Sequence, residues 1–220
     1  MKKTLLTTSL IFSCVVFLIA QENKMNVGIT IGPSIIRAHG AGVNSKFAKS
    51  AIGFSAGLSF EYLFSENLSF FTAAQYEKKG YAYHFIFTDN KGTILKEENY
   101  PINYNYLTFP LLIRYYIHIG SKTTLYVNAG PYIGLLISQI SIFPIMNGEE
   151  TIRGNYTKYS KTFDLGPSIG LGGILPISDK IDIEYELREN YGLLNTDKTS
   201  SSYPLKTNSI NLLVNFKYKI

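Results

Sequence analysis

Tryptophan is missing from this chain, and cysteine occurs once, at Cys14. A single thiol closes no internal disulfide and makes no cysteine metal site. Charge is sparse for 220 residues, and the net charge of +5 is spread rather than clustered. Without a Lys/Arg run there is no nucleic-acid footprint. Beyond the first twenty residues no apolar run escapes interruption by polar residues, which excludes a transmembrane helix. What the chain has instead is 17 Tyr and 14 Phe.

The N-terminus carries a basic pair, Lys2 and Lys3, then an apolar stretch from Thr4 to Ile19, then Ala20-Gln21. This pattern reads as a secretory signal peptide over residues 1–20, leaving a mature domain over 21–220. Cys14 falls inside it. A lipoprotein-type signal with Cys14 lipidated is the alternative, but the apolar run continues past Cys14, which suits a cleaved signal better.

The stretch YLTFPLLIRYYIHIG, Tyr106 to Gly120, shows how the rest is built. Pro110 argues against a helix, and Arg114 against a membrane helix. Period two resolves it. Leu107, Phe109, Leu111, Ile113, Tyr115, Ile117 and Ile119 share one face, opposite Thr108, Pro110, Leu112, Arg114, Tyr116 and His118.

Eight such segments recur, near 26–37, 51–64, 68–87, 106–119, 123–139, 161–177, 181–191 and 207–220. Short turns at Ser65-Glu66-Asn67, Gly120-Ser121-Lys122 and Ser178-Asp179-Lys180 alternate with long connections, including 88–101, 142–160 and 193–206. That order predicts an all-β fold: an eight-stranded antiparallel up-and-down transmembrane β-barrel of the outer membrane, short turns in the periplasm and long loops outside. A soluble lipocalin-like barrel also alternates, with the faces reversed. Two features favour the membrane arrangement. The polar faces are rich in Gly, Ser and Ala, as a cramped interior requires. The apolar faces carry aromatics near segment ends, at Tyr62, Phe64, Tyr104, Tyr115, Phe163, Phe216 and Tyr218, as interfacial girdles do. Gly32-Pro33, Gly130-Pro131 and Gly166-Pro167 fall within strands, where bulges or kinks are expected.

YLTFPLLIRYY followed by YVNAGPYIGLLIS, with DLGPSIGLGG before IDIEYELREN, resembles the PorT-like outer-membrane β-barrel proteins of Bacteroidota. The resemblance spans essentially the whole mature chain. It implies a small outer-membrane barrel, and through the family's founding branch an accessory role in protein secretion. Many outer-membrane proteins end on an aromatic residue that helps assembly. Here Ile220 is last, with Phe216 and Tyr218 on its face.

The polar faces gather Glu61, Arg114, Asp164, Asp182, Glu184, Glu186, Arg188 and Lys217. An eight-stranded barrel is only wide enough for side chains to fill. These residues therefore read as a structural polar network in the lumen, with a narrow solute path as the alternative. Lipid A modification is a further alternative. It would need a histidine near the outer rim, for which His39 and His84 are candidates and His118 is at the wrong end. No spaced nucleophile, base and orienting group supports it, so no enzyme and no cofactor is expected. Gly166, Gly170 and Gly172 sit in a strand rather than a phosphate loop. The expected job is structural or interactive, displaying loops around Gly40, Gly92, Gly148 and Thr199. Expected partners are outer-membrane lipid, the barrel-assembly machinery and envelope or secretion proteins, with no nucleic acid.

Overall fold

The computed structural model describes residues 24–40, 47–119, 123–145, 150–198 and 204–220. The expected signal peptide with Cys14, the turn at Gly120-Ser121-Lys122, Gly148 and Thr199 lie outside these residues. Ten strands follow in order: β1 (Met25–His39), β2 (Ala48–Lys49), β3 (Ala51–Leu63), β4 (Leu68–Thr88), β5 (Ile94–Ile119), β6 (Thr123–Ile145), β7 (Glu150–Asn155), β8 (Phe163–Pro176), β9 (Ile181–Tyr191) and β10 (Lys206–Lys219).

Eight of them close a ring. β1, β3, β4, β5, β6, β8, β9 and β10 pair antiparallel with their neighbours, and β10 pairs back onto β1. Closure satisfies every strand edge internally, which hydrocarbon surroundings demand. β2 and β7 are short additions, hydrogen-bonded to β4 and β6 at the end opposite the short turns.

Alternation decides which way the faces point. On β5, Ile113, Tyr115, Ile117 and Ile119 are exposed while Leu112, Arg114 and Tyr116 are buried. Ile52 on β3 is 72% exposed and Arg114 is 0% exposed. A soluble barrel would show the reverse. An apolar outer wall around a charged interior is the membrane arrangement.

Four expectations need correction. The stretch 88–101 is not a loop. β4 and β5 stay paired from Leu68↔Tyr115 up to Thr88↔Ile94, so the connection is a short turn at the tip of a long hairpin. At the hairpin tip neither face is packed against the rest of the ring, so Lys96, Glu97, Glu98 and Asn99 show no period-two apolar signal. Its aromatics hold it instead: the Phe85 ring lies 5.0 Å from Tyr83 and 5.5 Å from Tyr100.

The stretch 142–160 is likewise ordered. β6 runs on to Ile145, β7 folds back along it, and a single 3-10 turn at Thr157–Tyr159 follows.

The Gly-Pro pairs make no bulge. Register is the same on both sides of Pro33, at Ile31↔Val214 and Ser34↔Asn211. The glycine solves the steric problem instead. A Cβ on Gly32 would come within 1.8 Å of the Leu212 carbonyl oxygen, and Gly130 and Gly166 press on Leu111 and Tyr191 in the same way. The register shifts that do occur lie at Phe87/Thr88 and at Asn105/Tyr106.

Tyr104, finally, is not part of an outer girdle. It shares its phase with Tyr106 and Thr108 and is buried inside.

Candidate functional site: a layered ionic interior

Among the described residues, inward phase brings ten charged side chains into the lumen, six carboxylates and four cations, all buried. They stack in layers from the short-turn end to the hairpin end. In the first layer Lys217, from β10, places Nζ 2.5 Å from Glu184, 3.4 Å from Glu61 and 3.7 Å from Asp182. Lys219 closes the mouth, 2.8 Å from Asp182.

Arg114 forms the next layer. Its guanidinium reaches Glu61 at 3.2 Å, Glu184 at 3.1 Å and Glu186 at 3.3 Å. The Tyr116 hydroxyl donates to Glu61, as does Ser69 at 2.7 Å. Arg188 follows, with Nε 2.6 Å from Glu186 and Nη1 donating to Gln75 at 3.2 Å. The Phe71 ring is shared by the two guanidiniums, 4.2 Å from Arg114 and 5.1 Å from Arg188. A planar guanidinium can pair in its plane and stack on its face at once, which lysine cannot do.

Room for this packing comes from β8. A Cβ on Gly170 would fall 2.6 Å from Glu186 Oε1, and one on Gly172 would fall 2.6 Å from the Tyr126 hydroxyl. Of the three glycines that look like a loose phosphate loop, Gly170 and Gly172 are spaces left for the ionic layers, and Gly166 makes room for the Tyr191 carbonyl.

Two further layers lie toward the hairpin end. Glu77 accepts hydrogen bonds from Asn190 at 3.0 Å, Asn211 at 3.1 Å and the Ser209 hydroxyl. Lys79 pairs with Asp164 at 2.9 Å and donates to the Tyr132 hydroxyl at 2.7 Å. Tyr132 in turn donates to Asp164 at 2.8 Å.

Of the residues expected in the lumen, Glu61, Arg114, Asp182, Glu184, Glu186, Arg188 and Lys217 thus meet in one network. Asp164 does not join them and belongs to the Lys79 layer. Glu77 and Lys79 were missed by sequence reasoning. Their signal was available, because Phe71, Ala73, Gln75, Glu77 and Lys79 share one phase on the third segment.

The histidines stand apart from this column. His39 stacks on Tyr191, ring centroids 4.3 Å apart. His84 Nδ1 lies 2.9 Å from Asn99 Oδ1, and its Nε2 is 3.5 Å from Glu97. His118 contacts Thr124 at the short-turn end. At the tip of the long hairpin, the Asp89 carboxylate accepts from the backbone N–H groups of Thr93 and Lys91, both at 2.8 Å. Those two bonds hold its carboxyl below the ordinary value of 3.8.

The family described as outer membrane protein beta-barrel domain matches residues 19–198. Among solved structures, the chain is similar to the outer membrane protein AlkL, with a TM-score of 0.50 at 11% identity over 90% of this chain and 91% of that one. Neisserial surface protein A gives 0.49 at 15% identity, over 89% and 97%. OprG from Pseudomonas aeruginosa gives 0.49 at 13% identity, over 90% and 96%. No curated protein matches this chain.

Proposed function

Because this chain belongs to the family of outer-membrane β-barrel domains, its surroundings are those of the outer membrane, and we propose that it is a closed barrel that works through what it displays outside. The observation that carries this reading is the filled lumen. Five successive layers of buried, paired or hydrogen-bonded charge leave the interior to side chains, as an eight-stranded barrel's width requires. Solute transport is then not its job.

The second support is the excess of strand. A tilted spanning strand needs about 9–11 residues, whereas β4 has 21 and β5 has 26. The surplus forms a paired hairpin clear of the bilayer, and β7 adds a second. The PorT-like resemblance favours an accessory part in secretion as the second reading.

Two measurements test the proposal together. Planar bilayers containing the refolded protein should show no stable conductance. A protease site placed between Asp89 and Thr93 should be cut in intact cells. Ohmic steps would return the narrow-pore reading, and protection of the site would reverse the orientation. Loss of secreted proteins on gene deletion would replace display with the secretion role.

A further inference from the structure

Above the ionic column, the hairpin end of the barrel holds a cup of about 300 Å3. That is the lower end of the range for small-molecule sites, about 300–1,000 Å3. Its walls come from five separate parts of the chain, the fifth being the connection after β9. Tyr81 rises from β4, Tyr104 from β5 and Phe143 from β6, while Tyr156 and Tyr159 come from the connection after β7. Between these rings stand Gln139, Ser141, Ser160, Thr196 and Asp197.

The rim is tied in place by its own backbone. Ser160 and Asp197 form a β-bridge between the connection before β8 and the one after β9. The Lys161 N–H donates to the Thr196 carbonyl at 2.8 Å, and the Lys198 N–H to the Tyr159 carbonyl at 3.0 Å. The Thr196 N–H donates to the Leu205 carbonyl at 2.8 Å, and the Tyr156 N–H to the Gln139 carbonyl at 2.9 Å. A preformed cup lowers the ordering cost of taking a ligand.

The lining chemistry selects the ligand. No lysine, arginine or histidine lines the cup among the described residues, so nothing there balances a phosphate, sulfate or carboxylate. Lys158, next to Tyr159 in sequence, lays its Nζ over the Tyr159 ring, 4.7 Å from the centroid. What the cup offers is flat aromatic faces beside hydroxyls, an amide and one carboxylate. A pyranose has matching surfaces. Its axial C–H face is apolar and slightly positive, and rests on the negative face of an aromatic ring. Its hydroxyls both donate and accept, so they can add to a polar set already linked within the protein, where Gln139 donates to Ser141 at 2.7 Å, Ser160 to Gln139 at 3.4 Å and Thr196 to the Leu205 carbonyl at 3.1 Å.

We propose that this cup binds a neutral saccharide, one ring at a time, at the outer end of the barrel. The proposal deepens the display reading and rests on it for its biological sense. Its test does not, because binding in detergent micelles is independent of orientation.

The experiment is saturation-transfer NMR on the refolded full barrel. The probes are D-glucose, D-galactose, D-mannose and N-acetyl-D-glucosamine, each in turn, with tetramethylammonium as the competing chemistry. At least one sugar should bind, with Kd on the order of 1 mM for a single ring in an open cup. Asp197→Asn and Tyr159→Ala should each weaken it at least fivefold while keeping the heat-dependent gel shift of a folded barrel. Lys161→Ala, whose part in the rim is its backbone N–H, should leave binding unchanged.

Three outcomes overturn the assignment. One is that no sugar of the set binds the folded protein. Another is a sugar signal that survives both cup variants, which places binding elsewhere. The third is saturation by tetramethylammonium in place of sugars, lost in the same variants, which makes the cup an aromatic cage for cations.

Discussion

Arg114 sits where three carboxylates converge, with Phe71 and Tyr126 against its faces. Replacing it by methionine keeps much of the volume and removes the one charge among the described residues that Glu61, Glu184 and Glu186 all contact. Removing one partner of a buried ionic group costs about 3–5 kcal/mol, so Arg114→Met should lower the urea midpoint of the refolded barrel strongly. The gel shift on boiling is the natural readout, since the chain has no tryptophan for fluorescence. The Lys79–Asp164 pair allows a sharper test. Lys79→Met and Asp164→Leu each strand a buried charge, and the double variant strands none. The double variant should cost less than the sum of the singles, with a coupling of about 1–3 kcal/mol. Strict additivity would mean that the two side chains do not pair. At this scale the sequence is legible as far as alternation reaches. Arg114, Glu186 and Arg188 could be sent inward from their neighbours alone. Which carboxylate meets which cation could not, because β3, β5, β9 and β10 come together only when the ring closes.

At the scale of elements, strand length was misjudged where the solvent changes. Inside the bilayer one face meets lipid and the other the lumen, so hydrophobicity alternates. Beyond it that contrast ends, and the top of β4 and β5 reads as a polar loop although its ladder is unbroken. Asp89 at the tip gives this hairpin a pH signature. Its carboxyl lies below 3.8 when the turn is formed. A lowered value means that the turn is favoured above the ordinary value and loses that support as pH falls through the lowered one. The Lys91 and Thr93 amide resonances should therefore titrate together with a midpoint below 3.8, and Asp89→Ala should abolish the titration. A midpoint at or above 3.8 would count against those two hydrogen bonds. The Gly-Pro strands carry another element-scale expectation. Gly32→Val drives a side chain into the Leu212 carbonyl and should prevent the heat-modifiable band from forming. Pro33→Ala, which restores a donor without adding bulk, should leave that band intact.

The whole molecule is an inverted barrel, and lipid is part of its solvent. Leu171 is 60% exposed on β8. Leu171→Arg should destabilise the folded barrel in vesicles by about 2–4 kcal/mol if that position lies near the bilayer midplane, and by less nearer an interface. Refolded wild-type protein should migrate differently before and after boiling, and a chain that stayed soluble and monomeric without detergent would contradict the outward apolar wall. The sequence by itself determined the class of fold, the number of spanning strands and, Tyr104 apart, the side of the wall on which the alternating residues it assigned stand. Those properties are local, since a strand's period and its turns are written in consecutive residues. The tertiary structure alone decided the ion partners, the protruding hairpins, the glycine contacts that replace bulges and the aromatic cup. Each joins residues far apart in the chain, and the period-two pattern holds no information about which strand will face which across a closed lumen.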